Sequence, residues 1–123
     1  MIAQHAIGLP DFQRKCLGLL RRAADEGRLP RWQPAYLEDR IAMHEGRPQR
    51  YGTQWIDDPV DGRIRPWKLA DAEHINKLRA GVGLEPMHPV PERGPELPAE
   101  EQRAIRENQR WWEEWLAGKG WRG

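Results

Sequence analysis

Between Gly46 and Gln54 the chain reads Gly46-Arg47-Pro48-Gln49-Arg50-Tyr51-Gly52-Thr53-Gln54, gathering amides, a phenol and a hydroxyl around one glycine. Side chains of this kind bind and orient polar substrates. Strand alternation places Gln49, Tyr51 and Thr53 on one face and Arg50, Gly52 and Gln54 on the other. A glycine inside a strand marks a bulge or a close approach of backbone or ligand. Two readings follow. Gln49, Tyr51 and Thr53 face a shared cavity and, with Gln54, bind substrate; or the segment is a solvated edge strand in which Tyr51 merely packs.

Arg40 stands out on a second ground. On a helical wheel it falls among Tyr36, Leu37, Ile41, Met43 and His44, near the centre of an apolar face. A guanidinium turned towards a core must be paired and hydrogen-bonded. Arg40 is therefore expected to be largely buried, either as a clamp for a carboxylate or other anion or in a structural ion pair, unless it snorkels to the helix edge. His5 lies on the apolar side of a short opening helix, as a core residue or a base. Asp39 flanks the Arg40 face. If His5 and Asp39 meet, they form an acid–base pair tunable towards neutral pH. The four histidines lack metal-ligand spacing, and Asp57, Asp58 and Asp61 lack the rest of a calcium loop and read as a turn. No metal and no cofactor is expected.

These residues need elements to hold them. Phe12, Cys16, Leu19, Leu20 and Ala23 recur at helical spacing, which predicts a helix over 11–26 with Gly27 at its end. A second helix is predicted over 34–45, stopped by Gly46. Strands over 49–56 and 64–69 flank an Asp61-Gly62 hairpin turn, with Pro66 confining the second to an edge. Asp71 can cap a short helix that buries Ile75 and Leu78. Residues 84–97 hold four prolines and read as an extended connector. The last helix is predicted over 98–117 and stopped by Gly118, with Ala104, Ile105, Trp111, Trp112, Trp115 and Leu116 on one stripe. Arg103–Glu107 and Arg110–Glu114 are spaced to pair across one turn. The expected fold is α+β: a mainly helical single domain with one small antiparallel β-hairpin. It divides into a domain over 1–87, a Pro-rich connector over 88–97 and a Trp-rich amphipathic helix over 98–117.

Several pieces of the chain also follow a known pattern. Gln4-His5-Ala6, Ala35-Tyr36-Leu37-Glu38-Asp39-Arg40-Ile41, the segment 46–54 and Gly83-Leu84-Glu85-Pro86 resemble the signature QHA…YLxDR…GRPQxYGTQ…GLxP. It belongs to a bacterial domain family, common in actinobacteria, with no assigned activity. The resemblance covers about residues 2–87, and its central nine-residue string is its specific part. It implies signature status for His5, Asp39, Arg40, Gln49, Tyr51, Thr53 and Gln54, and no catalytic role. The family pattern has more chain before the Gln-His-Ala piece, and two adjacent arginines where this chain has Leu78-Arg79. The Trp-rich helix lies outside it.

Composition bounds the function. Charged residues make up 32% of the 123, so the core must be small, and seven tryptophans partly offset this. A formal net charge of +1 argues against a dedicated nucleic-acid surface. Cys16 is the single cysteine, which excludes an intrachain disulfide. No apolar run reaches the roughly 18 residues of a membrane span, and no signal peptide is visible, so a cytoplasmic location is expected. Two functions are carried forward. One is a small metal-free enzyme of bacterial specialised metabolism, acting on a polar or anionic small molecule. His5 and Asp39 would do its acid–base chemistry, with Arg40, Gln49, Tyr51, Thr53 and Gln54 binding substrate. The alternative is a non-catalytic module that uses Trp111, Trp112 and Trp115 on a protein partner or a second copy of the chain.

Overall fold

The structure, a computed structural model, describes residues 8–122. Helix α1 (Pro10–Asp25) begins on a proline, whose fixed φ suits the first turn. It packs against α2 (Trp32–His44), which starts two residues before the predicted position. Strands β1 (Trp55–Asp57) and β2 (Ile64–Pro66) form an antiparallel hairpin in the register Trp55↔Pro66, Ile56↔Arg65 and Asp57↔Ile64. Helices α3 (Ile75–Gly81) and α4 (Ala99–Gly118) complete a mainly helical α+β domain. The opening helix expected around His5 lies outside the described residues. Among the described residues no helix is long and apolar enough to cross a membrane.

Three departures from the sequence reading have physical causes. The strands are shorter than expected because side chains, described below, close residues 49–54 into a loop. The hairpin turn runs over 58–63, where Asp58 Oδ1 accepts from the Val60 amide at 2.8 Å and Asp61 Oδ1 from the Arg63 amide at 3.0 Å. Gly118 is the last residue of α4, and Gly120 ends the helix instead, with φ 89°. Its amide donates to Ala117 O and that of Trp121 to Leu116 O, a Schellman closure that only a left-handed residue completes easily.

The core is small, as the composition required. Leu17 of α1, Leu37 and Ile41 of α2, Leu116 of α4 and Trp121 form its centre, with Cys16, Leu20, Trp112 and Trp115 packed against it. The Trp-rich helix is thus part of the same core as α1 and α2. Trp112 and Trp115 stack with ring centroids 5.1 Å apart and pack half-buried against the core, while Trp111 is 58% exposed. Neither Arg103–Glu107 nor Arg110–Glu114 closes to ion-pair distance among the described residues; Glu113 instead approaches Arg122 at 3.9 Å. The Pro-rich connector is stitched to the hairpin turn. Leu97 N donates to Val60 O at 2.8 Å, Gly94 N to Asp61 Oδ2 at 3.0 Å and Arg63 Nη1 to Glu92 O at 2.7 Å.

The C-terminal end of α2 meets the end of the chain. Arg122 Nε and Nη2 donate to the carbonyls of His44 and Met43, both at 2.9 Å, and favour the negative end of the helix dipole. His44 is 2% exposed, its ring set edge-on to Trp121 at 4.9 Å, and its Nδ1 has no hydrogen-bond partner among the described residues. Burial first, then the charges of Arg40 and Arg122, lower its pKa from 6.5 to about 4. The imidazole is therefore neutral in the folded state, while in the unfolded chain it protonates below about pH 6.5. Protons taken up by the unfolded state alone weaken the fold as pH falls. Between pH 7 and pH 4 this one group should remove about 3 kcal/mol of stability, levelling off below pH 4. Urea unfolding of the wild type and His44→Leu at both pH values checks this: the variant should lose less stability on acidification by about that amount.

Candidate functional site

The Gly46–Gln54 segment is organised around Asp39, whose residue is 0% exposed. Its Oδ1 accepts from the amides of Arg50 at 2.9 Å and Tyr51 at 3.0 Å. Its Oδ2 accepts from the Thr53 amide at 3.1 Å, the Thr53 hydroxyl at 2.8 Å and again from Tyr51 N at 3.2 Å. Burial pushes the carboxyl above its ordinary value, and the hydrogen bonds from Tyr51, Thr53 and Arg50 pull the other way. Gln49, also 0% exposed, closes the loop with its side-chain amide. Nε2 donates to Gln54 O at 2.8 Å and Trp67 O at 2.9 Å, and Oε1 accepts from Gln54 N at 2.9 Å. The Gln54 amide group, in turn, donates to Thr53 Oγ1 at 3.1 Å.

The carbonyl side of the loop is held as firmly. Arg79 of α3 donates through Nη1 to Tyr51 O at 2.8 Å and Gly52 O at 3.3 Å, and through Nε to Glu85 O at 2.6 Å. Gly52 sits at φ 68°, and a Cβ there would lie 2.9 Å from Met87 Sδ and 3.4 Å from Ile75 Cδ1. Glycine is needed for both conformation and space. Three of the four pieces that carry the family resemblance therefore meet at one place: Asp39, the loop itself, and Glu85 beyond Arg79.

This geometry places each residue of the expected substrate-binding set. Among the described residues Gln49, Thr53 and Gln54 line neither depression that Tyr51 lines: Gln49 and Thr53 turn their polar groups onto the backbone and Asp39, and Gln54 donates to the Thr53 hydroxyl. Asp39 does not offer a free carboxylate for acid–base work, since its oxygens are filled by backbone and hydroxyl donors. His5 lies outside the described residues. Arg40 is half-buried rather than largely buried and makes no hydrogen bond or ion pair among the described residues, so the expected structural ion pair is not formed there. The cause is the phase of α2. Its buried residues include Pro34, Ala35, Leu37, Asp39, Ile41, Ala42 and His44, while Tyr36 is 39% exposed. Apolar Tyr36 and Met43 drew the predicted face about a third of a turn towards Arg40.

The segment presents Arg50 outward, over the buried Tyr51 ring. Arg50 is exposed, with its guanidinium carbon 5.3 Å from the centre of the Tyr51 ring. Among the described residues that guanidinium has no hydrogen bond or ion pair. Three depressions of about 300, 510 and 790 Å³ adjoin one another, and Arg50 lines all of them. In the first, Arg21, Arg31 and Arg50 face Asp25 and Glu38; in the second, Arg50 and Lys77 face Asp71; in the third, Arg14, Arg21, Arg47 and Arg50 face Glu38, Glu45 and Asp71. Histidine aside, the cations exceed the acids by one each time: three against two, two against one, four against three. Arg21 pairs with Glu38, Arg31 with Asp25, and Arg14 and Arg47 with Glu45. Arg50 is the cation common to all three and makes no ion pair among the described residues; in the second depression Lys77 makes none either. Burial, followed by the nearby Glu38 carboxylate, raises the Tyr51 pKa, so the phenol stays protonated and can donate.

Beside Arg50, in the second depression, Asp71 Oδ2 lies 2.9 Å from His74 Nδ1. Sequence reasoning missed Arg50, Arg79 and this pair. Arg50 sits on the opposite face of the supposed strand, and Arg79 entered only beside Leu78, as a departure from the family pattern. Among the described residues no group of three His, Cys, Asp or Glu is arranged to hold a metal ion. Comparison with known proteins finds no matching family model, no similar curated protein and no similar solved structure.

Asp39→Asn tests the central clamp. The carboxamide keeps the shape but turns a donor towards backbone donors, leaving buried amides unpaired. It should cost about 3 kcal/mol in urea unfolding. Thr53→Val removes one hydroxyl donor and should cost about 1 kcal/mol. In the Asp39 variant the amides of Arg50, Tyr51 and Thr53 should lose hydrogen-exchange protection. Full protection there would contradict the clamp.

Proposed function

We propose that this domain binds a small anionic molecule in the groove around Arg50 and Tyr51. The observation that carries the reading is the unpaired Arg50 guanidinium, held over Tyr51 on a loop locked from both sides and shared by three adjoining depressions. A fixed backbone lowers the ordering cost of binding. Arginine supplies the charge and a planar fork suited to carboxylate or phosphate. The neutral Tyr51 phenol supplies a donor beside it. Titration calorimetry with citrate, inorganic phosphate and adenosine monophosphate tests this at low ionic strength. At least one should bind saturably, and Arg50→Met should weaken it about tenfold or more, the worth of a charge-assisted hydrogen bond. The same substitution should change stability by less than about 0.5 kcal/mol, because the side chain is exposed. Equal affinity in wild type and Arg50→Met would defeat the reading.

The Asp71–His74 pair favours a second reading, a metal-free acid–base enzyme on the same ligand. A carboxylate on Nδ1 fixes the tautomer and leaves Nε2 to accept a proton. In that case His74→Gln should abolish turnover of a bound ligand, followed by NMR of the mixture, while leaving its affinity within about threefold. Turnover that survives in His74→Gln would remove His74 from any catalytic role.

A further inference from the structure

A second cavity, of about 310 Å³, lies between the hairpin and α4 and shares no lining residue with the Arg50 groove. Its volume is at the small end of ligand pockets, about 300–1,000 Å³. Three indoles line it: Trp55 of β1, Trp67 just after β2, and Trp112 of α4. The walls are fixed. Trp67 Nε1 donates to Arg47 O at 2.8 Å. Trp112 lies parallel to Trp115 and edge-on to His44, with ring centroids 5.1 and 6.5 Å away. Gln109 Nε2 donates to Asp57 O at 2.7 Å, tying α4 to β1.

The charge in this cavity is the reverse of that in the groove. Asp57, Glu113 and Arg122 line it, giving a formal balance of minus one. Arg122 is turned to the carbonyls of Met43 and His44 and meets Glu113 only at 3.9 Å. The exposed Asp57 carboxylate has no hydrogen bond or ion pair among the described residues. The Trp67 ring already attracts a cation, the Lys68 ammonium at 5.0 Å from its centroid.

We propose that this cavity binds a quaternary or methylated ammonium group. Such a cation offers no N–H donors or only one, so it is held by aromatic surface and a nearby carboxylate. A primary ammonium would keep its water and gain less. A neutral guest of the same shape would gain the apolar contact but nothing from Asp57. The same head group occurs on free choline-like molecules and on methylated lysine side chains, and both sources fit the chemistry.

The test follows the indole N–H signals of Trp55, Trp67 and Trp112 by NMR during titration of the intact chain. The probes are choline, its neutral isostere 3,3-dimethylbutan-1-ol, and trimethyl-lysine. Choline and trimethyl-lysine should shift these signals saturably, with the isostere about tenfold weaker. Tighter binding of trimethyl-lysine than of choline would assign the source to modified protein. Asp57→Asn, at an exposed side chain without bonds, should preserve the fold and weaken choline about fivefold without changing the isostere. Three results would each overturn the proposal: no saturable shift with either cation, equal affinity for the isostere, or an Asp57→Asn variant that binds choline as tightly as the wild type.

Discussion

A single buried carboxylate sets the shape of the region on which the rest of the molecule leans. Removing the Asp39 charge from water is tolerable only if donors replace the lost hydration. The chain supplies them from amides spaced within four residues, and an extended strand cannot aim those amides at one point. The segment must curl, and the curl requires the left-handed conformation at Gly52. Curling turns the carbonyls of Tyr51 and Gly52 outward to Arg79, which fixes α3 and the start of the connector. The side chain of Arg50 is then left at the surface, over the buried Tyr51 ring. The charge that organises the fold and the exposed arginine that lines the groove are two sides of one loop.

Legibility in the sequence followed the range of the interactions. The four described helices and the hairpin were readable because period and end signals are local. Proline at the start of α1 and glycine after α1 and α2 carried as much as the apolar spacing did. The loop was not readable. Its alternating residue types match a strand, and nothing nearby shows that the Gln49 side chain takes the place of a strand partner. Asp39 reaches across 12 residues to Tyr51, and Arg79 across 28. Periodicity carries no information about such pairings. The error at Arg40 was of another kind. With Tyr36 apolar yet exposed and Met43 only half-buried, the wheel had more hydrophobic positions than the core had room for.

The balance between apolar and polar cohesion is unusual for the same reason. Few side chains are fully buried, and among the largest of them are Gln13, Gln49, Asp39 and His44 as well as Leu116. Buried polar groups give little net stability when satisfied and cost much when a partner is lost. They do, however, tolerate only one arrangement of their neighbours. In a chain with 32% charged residues and a small apolar centre, such groups supply uniqueness that packing alone would leave loose.

Arg122 and Trp121 join the end of α2 to a stretch of chain almost eighty positions away, with separations of 78 and 79 residues for the two Arg122 hydrogen bonds. This bears on the order of events during synthesis. Helices α1 and α2 leave the ribosome early, yet their shared apolar face stays uncovered until Leu116 and Trp121 have followed. For several seconds, at the usual rate of about 5–20 residues per second, the nascent chain carries an open hydrophobic surface. The polar spacer formed by the hairpin and the proline-rich connector is what separates that surface from its cover in time.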